Sequence, residues 1–72
     1  MAVNEIGTII RRARMRAGLQ RWEVAKRVGV CRQTVIFWEL GYRKPDWRTL
    51  PILANVLSVS FDDLLEAKIK AP

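Results

Sequence analysis

Hydroxyls that could act as nucleophiles occur at Thr8, Thr34, Thr49, Ser58 and Ser60, but the chain has no histidine to take a proton from them. The acidic side chains form no recognisable pair or metal set. Asp62-Asp63 is better explained as a helix start, where the macrodipole favours negative charge. A single cysteine, Cys31, excludes an internal disulfide and a thiolate metal cluster within the chain. No catalytic residue, metal site or cofactor is expected, and the chain is not read as an enzyme. Its chemistry lies in its cations: 13 Lys and Arg stand against 7 Asp and Glu, a net charge of +6. Residues 1–44 hold 10 basic and 3 acidic side chains, whereas residues 45–72 hold 3 and 4. The basic part suits a polyanion; the alternative is a merely solvated cationic surface.

The elements that must position these cations are helices, since nothing alternates with period two over a useful length. Ile6, Ile9, Ile10, Ala13 and Ala17 recur at helical spacing, with Arg11, Arg12, Arg14 and Arg16 on the other faces, Asn4 as N-cap and Gly18 as C-terminal residue. Gln20 precedes a second helix in which Glu23 completes an imitation capping box and Val24, Ala25 and Val28 face inward. Gly29 ends that helix. A third helix is expected from Arg32 to Leu40, beginning at Val30 or Cys31, with Val35 and Trp38 inward and Gly41 as terminator. Tyr42 to Asp46 reads as a loop. Pro51 cannot sit deep in a helix, so the fourth helix begins at Thr49 or Leu50, with Thr49 as possible cap, and its stripe is Leu50, Leu53, Ala54 and Leu57. Ser60 caps a fifth helix with Leu64, Leu65 and Ile69 inward, and residues 67–72 are expected to fray. The fold class is all-α, one domain over residues 1–72, with no stretch long and apolar enough to span a membrane and no secretory signal; a cytoplasmic location is expected.

Within this order, residues 20–40 place two short helices about a glycine turn, followed by a basic loop. That succession sets one helix end against a DNA backbone and the next helix in the major groove. About 100° per residue sends Gln33, Ile36, Phe37 and Leu40 to the face opposite Val35 and Trp38, an outward face that is unusually apolar.

The chain resembles the lambda-repressor/Cro-like (XRE-type) helix-turn-helix family of phage and bacterial DNA-binding proteins, over roughly Ile6 to Leu65. The resemblance rests on Gly18-Leu19, Glu23-x-Ala25, Gly29-Val30, Thr34-Val35, Glu39 followed by Gly41 and Pro45, and the closing run from Leu53-Ala54 through Leu57, Val59-Ser60 and Asp62 to Leu64-Leu65. It implies a compact five-helix domain and sequence-specific binding of double-stranded DNA by a transcriptional regulator, with the recognition helix at about residues 32–40. It also implies an ion pair between Arg14 and Glu39, against the alternative of two independent solvated charges. Gln20 and Arg21 fall where the family binds phosphate, Arg21 replacing a more usual glutamine and trading an amide for a full charge.

Arg43 and Lys44 are either further phosphate ligands or ordinary loop charges, and Trp22 either meets phosphate through its indole N–H or covers the core. The family's reading positions fall on Arg32, Gln33 and Phe37. Arginine can hold guanine and glutamine adenine, each with two hydrogen bonds, although Arg32, lying toward the side of the face, can instead take phosphate. Ile36 and Phe37 either pack on thymine methyls or belong to a protein-binding surface. The first reading expects a homodimer on DNA, with Trp47, Ile52 and Phe61 as interface candidates and a core role open for Phe61. The alternative is a helix-turn-helix scaffold that binds a protein partner, antitoxin or anti-repressor-like, through Ile36, Phe37 and Leu40.

Overall fold

The computed structural model describes residues 5–70, which form five helices and no strand: α1 (Glu5–Arg16), α2 (Arg21–Val28), α3 (Arg32–Leu40), α4 (Thr49–Leu57) and α5 (Phe61–Lys70). The cap expected at Asn4 lies outside the described residues, as do Ala71 and Pro72.

One core joins all five. Ile6, Ile10 and Ala13 of α1 meet Val24 and Ala25 of α2 and Val35 and Trp38 of α3. Leu50, Leu53, Ala54 and Leu57 of α4 and Leu64 and Ala67 of α5 close it from the other side. These are the positions at three- and four-residue spacing, because only one stripe of each short helix can be buried in so small a domain. The stripes end earlier than the spacing suggests. Ala17 is exposed just past the end of α1, and Ile69, expected inward, is 65% exposed, since α5 has by then run past the bundle it packs on. The same helix runs to Lys70, and Ala67 is held in the core.

The connections fix where α3 lies. Gly29 ends α2 at φ 92°, a left-handed conformation that costs any residue with a Cβ, and its N–H returns to the Ala25 carbonyl at 2.8 Å. Cys31 is the N-cap of α3 and Gly41 its C-cap. At the start of α4 the capping group is Asp46, not Thr49: its carboxylate accepts from the Thr49 N–H at 3.0 Å and the Thr49 hydroxyl at 2.8 Å. Pro51 then sits at the third position of α4, in its first turn. Ser60 caps α5 by accepting from the Asp62 N–H at 3.1 Å.

Gly7 sets the crossing of α1 and α3. A Cβ built there would lie 2.3 Å from the Trp38 carbonyl oxygen and 3.0 Å from that of Glu39, so the two helix backbones touch where no side chain fits.

Candidate nucleic-acid interface

α3 packs against α1 and α2 with Val35 and Trp38 buried, and this leaves Gln33 and Leu40 exposed on the outward side. Arg32 is exposed on the flank nearer α2, and Thr34 lies on the opposite flank. Ile36 and Phe37 are half-buried. Phe37 owes part of its cover to Tyr42, whose ring meets it edge-on at 5.7 Å with the planes at 64°. The Gly41 turn that ends α3 brings this about, because the Tyr42 N–H returns to the Phe37 carbonyl at 2.9 Å and folds the loop back over the helix. The exposed aromatic Tyr42 carried no signal in the sequence beyond its place in the loop.

Cations flank this helix on both sides. On one side an open concavity of about 430 Å³ is lined by Arg14, Gln20, Arg21, Trp22 and Arg32. On the other, a hollow of about 340 Å³ is lined by Val30, Thr34, Trp38, Arg43, Lys44, Asp46 and Thr49. The structure thus brings Gln20, Arg21, Trp22 and Arg32 together and sets Arg43 and Lys44 apart from them across α3. Trp22 is exposed at the start of α2 and covers no core. Lys44 leans toward α5, its ammonium 3.4 Å from the Lys68 carbonyl, while Lys68 returns a 2.6 Å hydrogen bond to the Pro45 carbonyl and stands 5.2 Å over the Trp47 ring. The loop after α3 is thereby tied to α5.

Arg14 and Arg21, which line the first concavity, share an ion cluster with Glu39. Arg14 Nε donates to Glu39 Oε2 at 2.6 Å and its Nη1 to the Leu19 carbonyl at 2.9 Å. Arg21 Nε donates to Glu39 Oε1 at 3.1 Å. Side-chain exposure is 1% for Glu39, 11% for Arg14 and 36% for Arg21, so the carboxylate is sealed beneath two guanidinium groups of which Arg21 is the outer. This ties the end of α3 to α1 and to the start of α2 at once. The bond from Arg21, eighteen residues away in sequence, had no local signal. Arg21 also begins a helix whose first turn is stabilised by Glu23, its carboxylate accepting from the Gln20 N–H at 2.7 Å. The Thr34 hydroxyl, 3.2 Å from the exposed Cys31 sulfur, holds that thiol below its ordinary range. Among the described residues no group of His, Cys, Asp and Glu could hold a metal, and no helix is long and apolar enough to cross a membrane.

Five helices in this order, with α2 and α3 joined by a glycine turn and α3 presented outward between two cationic hollows, are the architecture of a repressor-type helix-turn-helix domain. The family described as "Helix-turn-helix" matches residues 10–64, and the chain belongs to that family.

Among curated relatives, an uncharacterized HTH-type transcriptional regulator of Archaeoglobus fulgidus is 39% identical over 57 residues, covering 79% of this chain and 81% of that protein. The uncharacterized HTH-type transcriptional regulator YqaE of Bacillus subtilis is 34% identical over 59 residues, covering 82% of this chain and 51% of its own length. The SPbeta prophage-derived regulator YonR of the same organism is 35% identical over 60 residues, covering 83% and 56%. The chain thus spans about half the length of the two Bacillus relatives. The solved DNA-binding domain of the P22 C2 repressor is similar over 100% of this chain and 95% of its own, with a TM-score of 0.82 and 26% identity.

Proposed function

We propose that this domain binds double-stranded DNA sequence-specifically, as a transcriptional regulator of phage or bacterial repressor type, with α3 in the major groove. The observation that carries the reading is the pair of cationic hollows on either side of an outward α3. A helix lying in the groove has a phosphate strand along each flank, and guanidinium groups there neutralise phosphate while the exposed face meets base edges.

In this reading Gln20, Arg21 and the Trp22 indole N–H hold one strand, and Arg43 with Lys44 holds the other. Gln33, at the centre of the exposed face, reads adenine through two hydrogen bonds. Arg32, on the flank, reads guanine or takes phosphate from the Arg21 side. Arg14 and Glu39 touch no DNA and hold α3 against α1. Two copies bind a two-fold-related site with recognition helices about 34 Å apart, one turn of DNA, and Trp47, Ile52 and Phe61, all exposed, are the candidate contacts between them. The site of action is the cytoplasm, where bacterial DNA is.

The half-buried Ile36 and Phe37 and the exposed Leu40 also favour a second reading, a scaffold for a protein partner. The four cations around that face, Arg21, Arg32, Arg43 and Lys44, favour DNA, since a protein-binding helix has no need of them. The test is selection of bound duplexes from a random pool by the wild type, Gln33→Ala and Arg43→Ala. Gln33→Ala should relax the preference at one base position. Arg43→Ala should keep the preference, weaken all sequences alike and flatten the salt slope by about one. An unchanged preference in Gln33→Ala would overturn the assignment of α3.

A further inference from the structure

Arg43 and Lys44, the loop cations assigned above to phosphate, stand on a stretch without regular structure between α3 and α4, so their grip depends on how firmly that loop is held. Two of its ties are local. Tyr42 and Arg43 both direct their backbone N–H groups to the Phe37 carbonyl, at 2.9 and 3.3 Å, and the Asp46 carboxylate accepts from Thr49 at the start of α4. The third tie crosses from α5. Lys68 Nζ donates to the carbonyl of the buried Pro45 at 2.6 Å and lies 5.2 Å over the Trp47 ring, while Lys44 Nζ donates to the Lys68 carbonyl at 3.4 Å. That carbonyl is among the last four of α5, which no helix N–H reaches and near which the macrodipole favours a cation. Two lysines thus cross between loop and helix, each with its ammonium on a carbonyl of the other segment.

We infer that Lys68 is a positioning residue for DNA binding: it touches no phosphate itself and holds the 43–48 loop in the form in which Arg43 and Lys44 reach the strand. The inference rests on the DNA reading above. The Lys68 side chain is half-buried and its ammonium faces a carbonyl and an aromatic ring of the protein, so it is turned inward, away from a ligand. Without it the loop samples other conformations, and affinity falls in proportion to the fraction of molecules in which the loop is still in place. Once bound, the loop makes the same phosphate contacts, so the salt dependence stays as it was. This separates a positioning residue from a phosphate ligand, whose loss flattens the salt slope by about one.

The test titrates the best duplex from the random pool with the full chain and its variants, over a series of salt concentrations and well below the unfolding midpoint. Lys68→Met keeps the aliphatic stem and removes the ammonium. It should bind about fivefold more weakly, the net worth of one hydrogen bond, with the salt slope unchanged. Lys68→Arg, which can donate to the same carbonyl and stack on the same ring, should bind as the wild type does. In an Arg43→Ala/Lys44→Ala background, where no loop cation remains to be positioned, Lys68→Met should cost less than about twofold. Lys68→Gln serves in the same comparisons if Lys68→Met does not fold. A slope flattened by about one makes Lys68 a phosphate ligand and overturns the inference. An equal loss in both backgrounds also overturns it, since the effect then does not pass through the loop cations. Wild-type binding with Lys68→Met indistinguishable from it overturns the inference and leaves DNA binding standing, whereas failure of the wild type to bind any duplex overturns the DNA reading and this inference together.

Discussion

Glu39→Ala is expected to be strongly destabilising, although Glu39 touches no base in this account. The carboxylate is 1% exposed and accepts from two guanidinium groups, Arg14 at 2.6 Å and Arg21 at 3.1 Å. Removing one member of a fully buried pair costs about 3–5 kcal/mol, because the other charge is stranded away from water. Here the stranded groups are 11% and 36% exposed, and Arg14 keeps its bond to the Leu19 carbonyl, so rehydration returns part of that loss. A cost of about 2–3 kcal/mol follows. A chain of 72 residues has a total stability of about 4–11 kcal/mol, so this is a large share. The midpoint of thermal unfolding, followed by circular dichroism, should fall by about 10–20 °C. Arg21→Gln, removing the outer and more exposed partner, should cost only about 0–1 kcal/mol. A Glu39→Ala variant within about 0.5 kcal/mol of wild type, or an Arg21→Gln variant as unstable as it, would refute the claim that a sealed carboxylate anchors α3.

Gly7→Ala should destabilise by about 1–3 kcal/mol and weaken DNA binding even where folded, since its Cβ meets the Trp38 carbonyl and α1 and α3 must separate; thermal unfolding and duplex titration check the two parts. Asp46, its carboxyl held below the ordinary range by the hydroxyl and N–H of Thr49, contributes stability that is complete above the usual carboxylate range and fades as pH falls through its lowered folded value. Thermal unfolding against pH should therefore show Asp46→Ala less stable at neutral pH and the gap to wild type closing in acid. A gap that widens in acid contradicts that sign.

The helices were legible because each announces its inward stripe, and the turns because glycine stands at Gly18, Gly29 and Gly41, all with positive φ. Asp46 was missed as the cap of α4 because Thr49 is equally good capping chemistry, and only the fold of the loop shows which of the two accepts the hydrogen bond. Gly7 was missed because a glycine inside a helix reads locally as a weakness; its purpose is a carbonyl on another helix. Ile69 read as core because periodicity does not tell where a neighbour ends. In the site, Gln33 and Leu40 are exposed as spacing places them, whereas Ile36 and Phe37, which spacing also sends outward, are half-buried, Phe37 partly beneath Tyr42. That Arg21 caps the Glu39 carboxylate and that Tyr42 braces Phe37 depends on contacts across helices and turns, which spacing does not encode.

The central claim is that α3 lies in a duplex groove between two lines of phosphate. Its most direct test is a salt titration of binding to a selected duplex beside a scrambled one of equal length. For contact with Z phosphates, log K should fall linearly with log salt at about 0.9Z, with the selected duplex bound more tightly throughout. Affinity that ignores salt, or no preference between the two duplexes at any salt, would contradict it.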